Sequence, residues 1–242
     1  MKAVILAAGH GSRFGQYGVR HKALLPINGR TVIDYTLDAV RESGLSEVVL
    51  VIGHEGHALQ EALGNGRSRG LDITYVMNPE HHRGNAVSVL AAREAVAGQS
   101  FILAMADHMP SADIVYGLVN HANGSDPMIN SLAVDFAPAP RHLEEGTRVS
   151  VDQHGHIVAI GKQLQHWNGI DCGVFRLTPA IFDAVEAKLA EDSTQDELSQ
   201  AVTRLIMSGH HLHAHDVGGA FWFDVDTWDD LKFAREALGH VT

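Results

Sequence analysis

The 242-residue chain contains a single cysteine, seven prolines and few aromatics, 6% in all, and its 18 Lys and Arg are outnumbered by 29 Asp and Glu. Each shortage excludes something. With Cys172 alone, no intramolecular disulfide can form, and a reducing cytoplasm is the expected setting. No apolar run approaches the ~20 residues needed to span a bilayer, and the N-terminal AVILAA meets Gly and Arg too soon for a signal peptide, so no membrane partner is expected. A net charge of -11 argues against a nucleic-acid partner, because such proteins carry a basic face. The absence of a Pro/Ser linker and of internal repeats points to one domain over 1–242.

What is present is a 45% apolar composition, enough for one substantial core and incompatible with disorder, collagen or coiled coil. The charge is uneven. Residues 1–121 hold ten basic and eleven acidic side chains, whereas residues 122–242 hold eight and eighteen, so an anionic substrate is better received by the first half. Seventeen histidines raise the question of a metal site or a pH switch.

Short β-branched runs alternate with helical patterns. KAVILAA (2–8), EVVLVIG (47–53), DITYVMN (72–78) and SFILAMAD (100–107) read as buried strands. Between them, Thr31 caps a helix that Gly44 stops, a polar helix covers 56–63, and a third helix covers 85–97. In the second half, strands are expected at 131–136, 147–152, 156–162, 169–178 and 211–217, with helices at 179–191, 196–208 and 227–238. This is the α/β pattern of a three-layer, mostly parallel mixed sheet with helices on both faces. Ligands of such sheets lie beyond the carboxyl ends of the strands, here Gly9, Gly53/His54 and Asp107.

LAAGHGSRFG (6–15) follows the first strand, where exposed backbone N–H groups can cradle phosphate oxygens. No Gly-Lys-Ser/Thr follows, which excludes a Walker A loop. The spacing of Gly9, Gly11 and Gly15, with Asp34 inside a helix, makes a poor dinucleotide fingerprint. A glycine loop bracketed by Arg13 and Lys22 suits a triphosphate.

LAAGHGSRFG followed by HKALLPINGRTVIDYTL resembles the signature of the nucleotidyltransferases that join an NTP to a sugar, polyol or similar phosphate, with His21 where proline is usual, a departure expected to leave Lys22 unaffected. NPEHHRGNAVSVLAAREAV (78–96), FILAMADHMPS (101–111) and FWFDVDTWDDL (221–231) resemble the inositol-1-phosphate cytidylyltransferases. The resemblance covers nearly the whole chain and implies a Rossmann-like fold, with residues 1–121 binding NTP and 122–242 the acceptor. It implies CTP contacts at Leu6, Ala7, Ala8, Gly9, Gly11, Ser12, Arg13 and Lys22, and a base site around Gly53, Asn78, Gly84, Asn85 and Ser88. Acceptor contacts are expected at His108, Lys162, Asp171 and Asp226, and catalytic roles at Arg13, Lys22, Asp107 and Lys162.

In the implied reaction an acceptor phosphate oxygen attacks the α-phosphorus and pyrophosphate leaves. That nucleophile is ionised at neutral pH, so catalysis reduces to alignment and charge neutralisation. Magnesium takes one or two carboxylates plus phosphates and water. Asp107 is the first ligand expected; Asp224, by resemblance, is the second, and Asp226, two residues on along an expected strand, faces away from it, to orient a neighbour or contact the acceptor. Phosphocholine or an aminoalkylphosphonate remains an alternative acceptor because Trp167, Trp222 and Asp171 could form a cage for a cation, and a sugar 1-phosphate is another. From a different class, a noncatalytic nucleotide sensor would not need the full set of Arg13, Lys22, Asp107 and Asp224. HHLHAH (210–215) reads as an exposed strand, since no Cys pair or HExxH accompanies it.

Overall fold

Alternation along the first strand sets the architecture. In β1 (Lys2–Ala7), Ala3, Ile5 and Ala7 join one apolar cluster, while Val4 and Leu6 join another on the opposite side. Successive side chains leave a strand on opposite faces, so a strand buried on both must lie inside a layered sheet. The computed structural model, which describes residues 1–9, 11, 14, 20–120, 129–191 and 196–239, has that sheet at its centre.

After β1 come a 3-10 turn (Lys22–Leu24), a small hairpin of β2 (Pro26–Ile27) and β3 (Arg30–Thr31), and α1 (Val32–Glu42). β4 (Glu47–Ile52), α2 (Gly56–Leu63), β5 (Asp72–Met77), α3 (Asn85–Ala91), β6 (Phe101–Met105) and α4 (Ala112–Asn120) complete the first half. The second half runs β7 (Asn130–Asp135), α5 (His142–Glu145), β8 (Arg148–Val151), β9 (Ile157–Gly161), β10 (Gly169–Leu177), α6 (Ala180–Glu191), α7 (Leu198–Met207), β11 (Leu212–Asp216) and α8 (Trp228–Gly239). The main sheet has the order β11-β7-β10-β6-β1-β4-β5, with β8 added to β10 and β9 to β8. β1 is parallel to β4 and β6, and β4 to β5; β10 runs against both β6 and β7. The expected mixed, mostly parallel sheet is therefore present.

Residues from α1, α2 and α4 fill the cluster on one face, and residues from α3, α6 and α7 fill the cluster on the other. A third cluster joins Phe14, Leu25, Ile27 and Val32 to Met109, Phe223, Val225 and Leu231, fastening the C-terminal segment over the N-terminal loop. α1 starts where the sequence places it: the Asp34 carboxylate accepts from the Thr31 N–H at 2.9 Å and hydroxyl at 2.7 Å. Among the described residues, no helix is long and apolar enough to cross a membrane.

Three elements differ from expectation. The helix expected over 85–97 ends at Ala91, because Ala92 and Arg93 donate three residues back, to Val89 and Leu90, and the α ladder is lost. α4 has no counterpart in the sequence reading, since β-branched Ile114 and Val115 beside Gly117 weaken its helical pattern. Residues 221–226 form no regular strand. They lace onto 107–111 through Met109 N to Phe223 O at 2.7 Å, Ser111 N to Phe221 O at 2.8 Å and Val225 N to Asp107 O at 3.0 Å, with an isolated antiparallel bridge between His108 and Asp224.

Candidate active site

β6 ends at Met105, and two residues on, Asp107 stands at the rim that strand topology selects. The 3-10 turn brings in Lys22, whose ammonium donates to Asp107 Oδ2 at 2.8 Å and to Asp226 Oδ1 at 2.5 Å. The lysine side chain is 12% exposed and that of Asp107 33%. Burial opposes the ammonium, yet the two carboxylates outweigh it and raise the Lys22 pKa. Burial likewise opposes ionisation of Asp107, but Lys22 and His108 hold it well below the usual carboxylate range.

These groups line one side of a cavity of about 300 Å³, with Leu6, Ala7, Gly9, Gly11 and Phe14 around it. Gly11 has a φ of +55, and a Cβ there would come within 2.9 Å of Lys22 Cβ, so the loop and the lysine fit only because that side chain is missing. Ala8 is buried and its carbonyl accepts the His54 N–H at 3.3 Å. Ser12 and Arg13 lie outside the described residues.

The residues expected around the base lie past the ends of β4 and β5 and at the start of α3. Asn78 is 1% exposed; its Nδ2 donates to Ser88 Oγ at 3.0 Å and its Oδ1 accepts the Glu80 N–H at 2.9 Å. Asn85 Oδ1 accepts from Leu198 N at 2.6 Å. These side chains act as struts, and the surface they shape is backbone around Gly53 and Gly84, with His81 packed against Gly53. Sequence reasoning missed Asp196, which takes the Arg83 guanidinium through two bonds of 2.6 and 3.0 Å and accepts the Ala86 N–H on its own carbonyl at 2.9 Å. A bidentate pair of this kind fixes orientation as well as distance.

On the other side of Asp107, His108 Nδ1 lies 3.0 Å from its Oδ1. Burial opposes the imidazolium, but Asp107, Asp224 and Asp171 push the His108 pKa up to about 9. Burial pushes Asp171 up to about 6, against the Gly173 N–H bound to its Oδ1 at 2.7 Å and the charge of His108. A Cβ on Gly173, φ +74, would come within 2.4 Å of the His108 ring, so the irregular stretch of β10 is where the imidazole packs against the strand. Trp222 is 6% exposed, donates Nε1 to Asp135 at 2.9 Å and carries His142 on its ring at 4.0 Å between centroids.

The Asp226 carboxylate goes to Lys22 and the glycine-loop cavity, whereas Asp224, whose backbone bridges His108, adds its charge to the surroundings of that imidazole. Asp226, expected to orient a neighbour or contact the acceptor, bonds Lys22 and lines the same cavity as Asp107, in a segment that follows the 107–111 loop and is no free strand. Asp230 Oδ2 holds the Asp226 N–H at 3.2 Å at the start of α8. Lys162 is exposed just past β9; Gly161 pairs with Arg148, which pairs with Ile170, so two strand spacings separate it from β10. The cavity side chains do not include it. The rings of His156, His211 and His213 gather at the edge of β11, with His156 4.7 Å from each of the others, but among the described residues no group of three or more His, Cys, Asp or Glu is arranged to hold a metal ion.

Residues 3–167 match the family described as the MobA-like NTP transferase domain. Over 98% of its length the chain is 36% identical to a "Bifunctional IPC transferase and DIPP synthase" of Rubrobacter xylanophilus and 32% identical to a protein of the same description from Thermococcus kodakarensis. It covers 51% and 50% of those proteins, and so spans about half the length of these curated relatives. Among solved structures, an inositol-1-phosphate CTP transferase from T. maritima superposes with a TM-score of 0.82 at 22% identity, covering 99% of this chain and 95% of that one.

Proposed function

Because the chain belongs to the MobA-like NTP transferase domain family, we propose that it transfers CMP from CTP to a phosphorylated polyol, inositol 1-phosphate first, giving CDP-inositol and pyrophosphate. The observation that carries this reading is the position of Asp107 between two unlike surroundings: the glycine-loop cavity with Lys22 and Asp226, and the His108–Asp171 pair. The choice of acceptor is supported by the two relatives described as IPC transferases.

In the proposed reaction an oxygen of the acceptor phosphate forms a bond to the α-phosphorus of CTP while the bond from that phosphorus to the pyrophosphate oxygen breaks. The residues assigned here bind, align and neutralise. Lys22 exchanges a carboxylate for a triphosphate oxygen, joined by Arg13. His108 offers positive charge to the acceptor phosphate, Asp171 accepts from hydroxyl groups, and Lys162 is assigned to the same phosphate. The halves 1–121 and 122–242 divide nucleotide from acceptor.

A magnesium ion would neutralise charge on the triphosphate, and Asp107 with Asp224 would hold it. The donor set fits: Asp107 is strongly ionised, and too few protein ligands are grouped here for a closed cage, as suits an ion that keeps water and phosphate ligands. Asp226 is assigned to hold Lys22. Phosphocholine is the weaker acceptor because Trp222, the best aromatic for a cation cage, already has its ring occupied by His142. A cytoplasmic setting belongs to the same reading, supported by the lone buried Cys172.

The test is a matrix of the four NTPs against inositol 1-phosphate, glucose 1-phosphate, phosphocholine and aminoethylphosphonate with magnesium, following pyrophosphate. CTP with inositol 1-phosphate is expected to turn over fastest. Turnover confined to a nitrogen-bearing acceptor would replace the polyol, and silence in every combination would favour a nucleotide sensor.

A further inference from the structure

His21 is buried beside Lys22, 6% exposed, and both its ring nitrogens are engaged. Nε2 lies 3.0 Å from the Ala7 carbonyl at the end of β1, and Nδ1 accepts the Ala23 N–H at 3.1 Å, capping the 3-10 turn that carries the lysine. A carbonyl can only accept, so Nε2 bears a hydrogen; an amide can only donate, so Nδ1 is bare. One tautomer of neutral imidazole meets both demands. An imidazolium would set an N–H against the Ala23 N–H. The backbone at His21 is extended, with φ -152, and proline with φ near about -65 would not reproduce this entry to the turn.

We infer that His21 is the positioning residue for Lys22: as the Nε2–H tautomer it ties the lysine-bearing turn to the end of β1 and so delivers the ammonium to Asp107 and Asp226. Lys22 follows directly, with Gly11 against its Cβ on the other flank, so the turn is held from the strand end and from the glycine loop. The charged groups facing the ring are His54 and Glu55 after β4 and Asp107 after β6. Burial, with His54, lowers the His21 pKa over the opposing pull of the Ala7 carbonyl, Asp107 and Glu55, which favours the neutral ring. The effect on turnover rests on the proposed role of Lys22 at the triphosphate; the placement of Lys22 does not.

The experiment therefore reads the lysine directly. The full chain, without nucleotide, is treated with an amine-acylating reagent at pH 8, and labelling of Lys22 is followed by mass spectrometry, with Lys2 as the internal control. In His21→Ala, labelling of Lys22 relative to Lys2 is expected to rise on the order of fivefold, the shift that loss of a typical cap brings, while His21→Asn, whose amide oxygen can take the Ala23 N–H, stays within about twofold of the parent. An unchanged ratio in His21→Ala overturns the inference. Should that variant unfold, 15N-histidine spectra of the unmodified chain decide: the resonance missing from His21→Asn must report Nε2–H at pH 7, and an Nδ1–H or imidazolium signal overturns it. Loss of turnover in every form, with these results intact, would count against the proposed reaction and leave the positioning role standing.

Discussion

Lys22 and Asp107 are 85 residues apart in sequence and 2.8 Å apart in space, and the same ammonium reaches on to Asp226. One cation thus holds two carboxylates that would otherwise repel each other. Lys22→Ala is expected to lower kcat/KM for the nucleotide by at least about 10²-fold, as removal of a charge-stabilising donor does. It should also destabilise the fold by about 1–3 kcal/mol, less than the ~3–5 kcal/mol of a fully buried pair because the carboxylates remain partly solvated. Pyrophosphate release and thermal melting check the two effects.

The three carboxylates should separate in a magnesium titration. Asp107→Asn is expected to abolish pyrophosphate release with a cooperative melting transition retained, its midpoint lowered by the lost pairing with Lys22. Asp224→Asn should raise the magnesium concentration needed for half-maximal rate, and Asp226→Asn should chiefly raise the nucleotide KM through Lys22. If the magnesium requirement moves with Asp226 instead, the second ligand is reassigned.

Acceptor recognition should follow two titrations. Asp171, pushed up to about 6, becomes an acceptor-only carboxylate as pH rises through that value, and His108, pushed up to about 9, loses its charge as pH rises through the higher one. The acceptor kcat/KM is therefore expected to form a bell between them, and Asp171→Asn should remove the acid limb. Stability follows linkage: the raised pKa of His108 contributes fully below 6.5 and is lost on passing about 9, whereas the depressed pKa of Asp107 contributes above 3.8 and is lost only in strong acid. The raised pKa of Asp171 works the other way, making the fold less stable above about 6 than below 3.8. Melting temperatures from pH 3 to 10 test the signs.

Asp196 holds the base loop from the far half of the chain. Asp196→Ala should raise the nucleotide KM roughly tenfold, since misplacement of a positioning loop costs between one and two orders of magnitude, and leave the acceptor KM unchanged. Equal changes in both constants would reduce Asp196 to a general structural role.

Much of the site can be located from the sequence because strand ends in a parallel sheet converge. The runs ending at Ala7, Ile52 and Met105 bring the glycine loop, His54 and Asp107 to one rim, and each run is marked by β-branched residues and a following Gly or Asp. Roles are harder than places. Asn78, Asn85 and Ser88 gather past the end of β5 and in the first turn of α3, yet their side chains are occupied with one another and with partners such as Leu198, 113 residues from Asn85. Alternation separates Asp224 from Asp226, but which of the two meets Lys22 depends on how the 221–226 segment follows the neighbouring 107–111 loop. His21 and Asp196 carry no local pattern at all; their partners lie 14 and 113 residues off, at Ala7 and Arg83. The one available signal is the departure at His21 itself.

The reversed course of β10 has a geometric consequence. Its register against β6 pairs Phe175 with Leu103 and Leu177 with Phe101, so the strand's beginning, with Asp171, runs out beside the end of β6, with Asp107 and His108. The paired rungs from Phe175 to Leu177 thereby set where the Asp171 end of β10 arrives beside β6. Slippage of β10 by one rung would turn Asp171 to the opposite side of the sheet. The offset between Asp171 and the Asp107–His108 rim across this seam is a gauge built into the strand pairing.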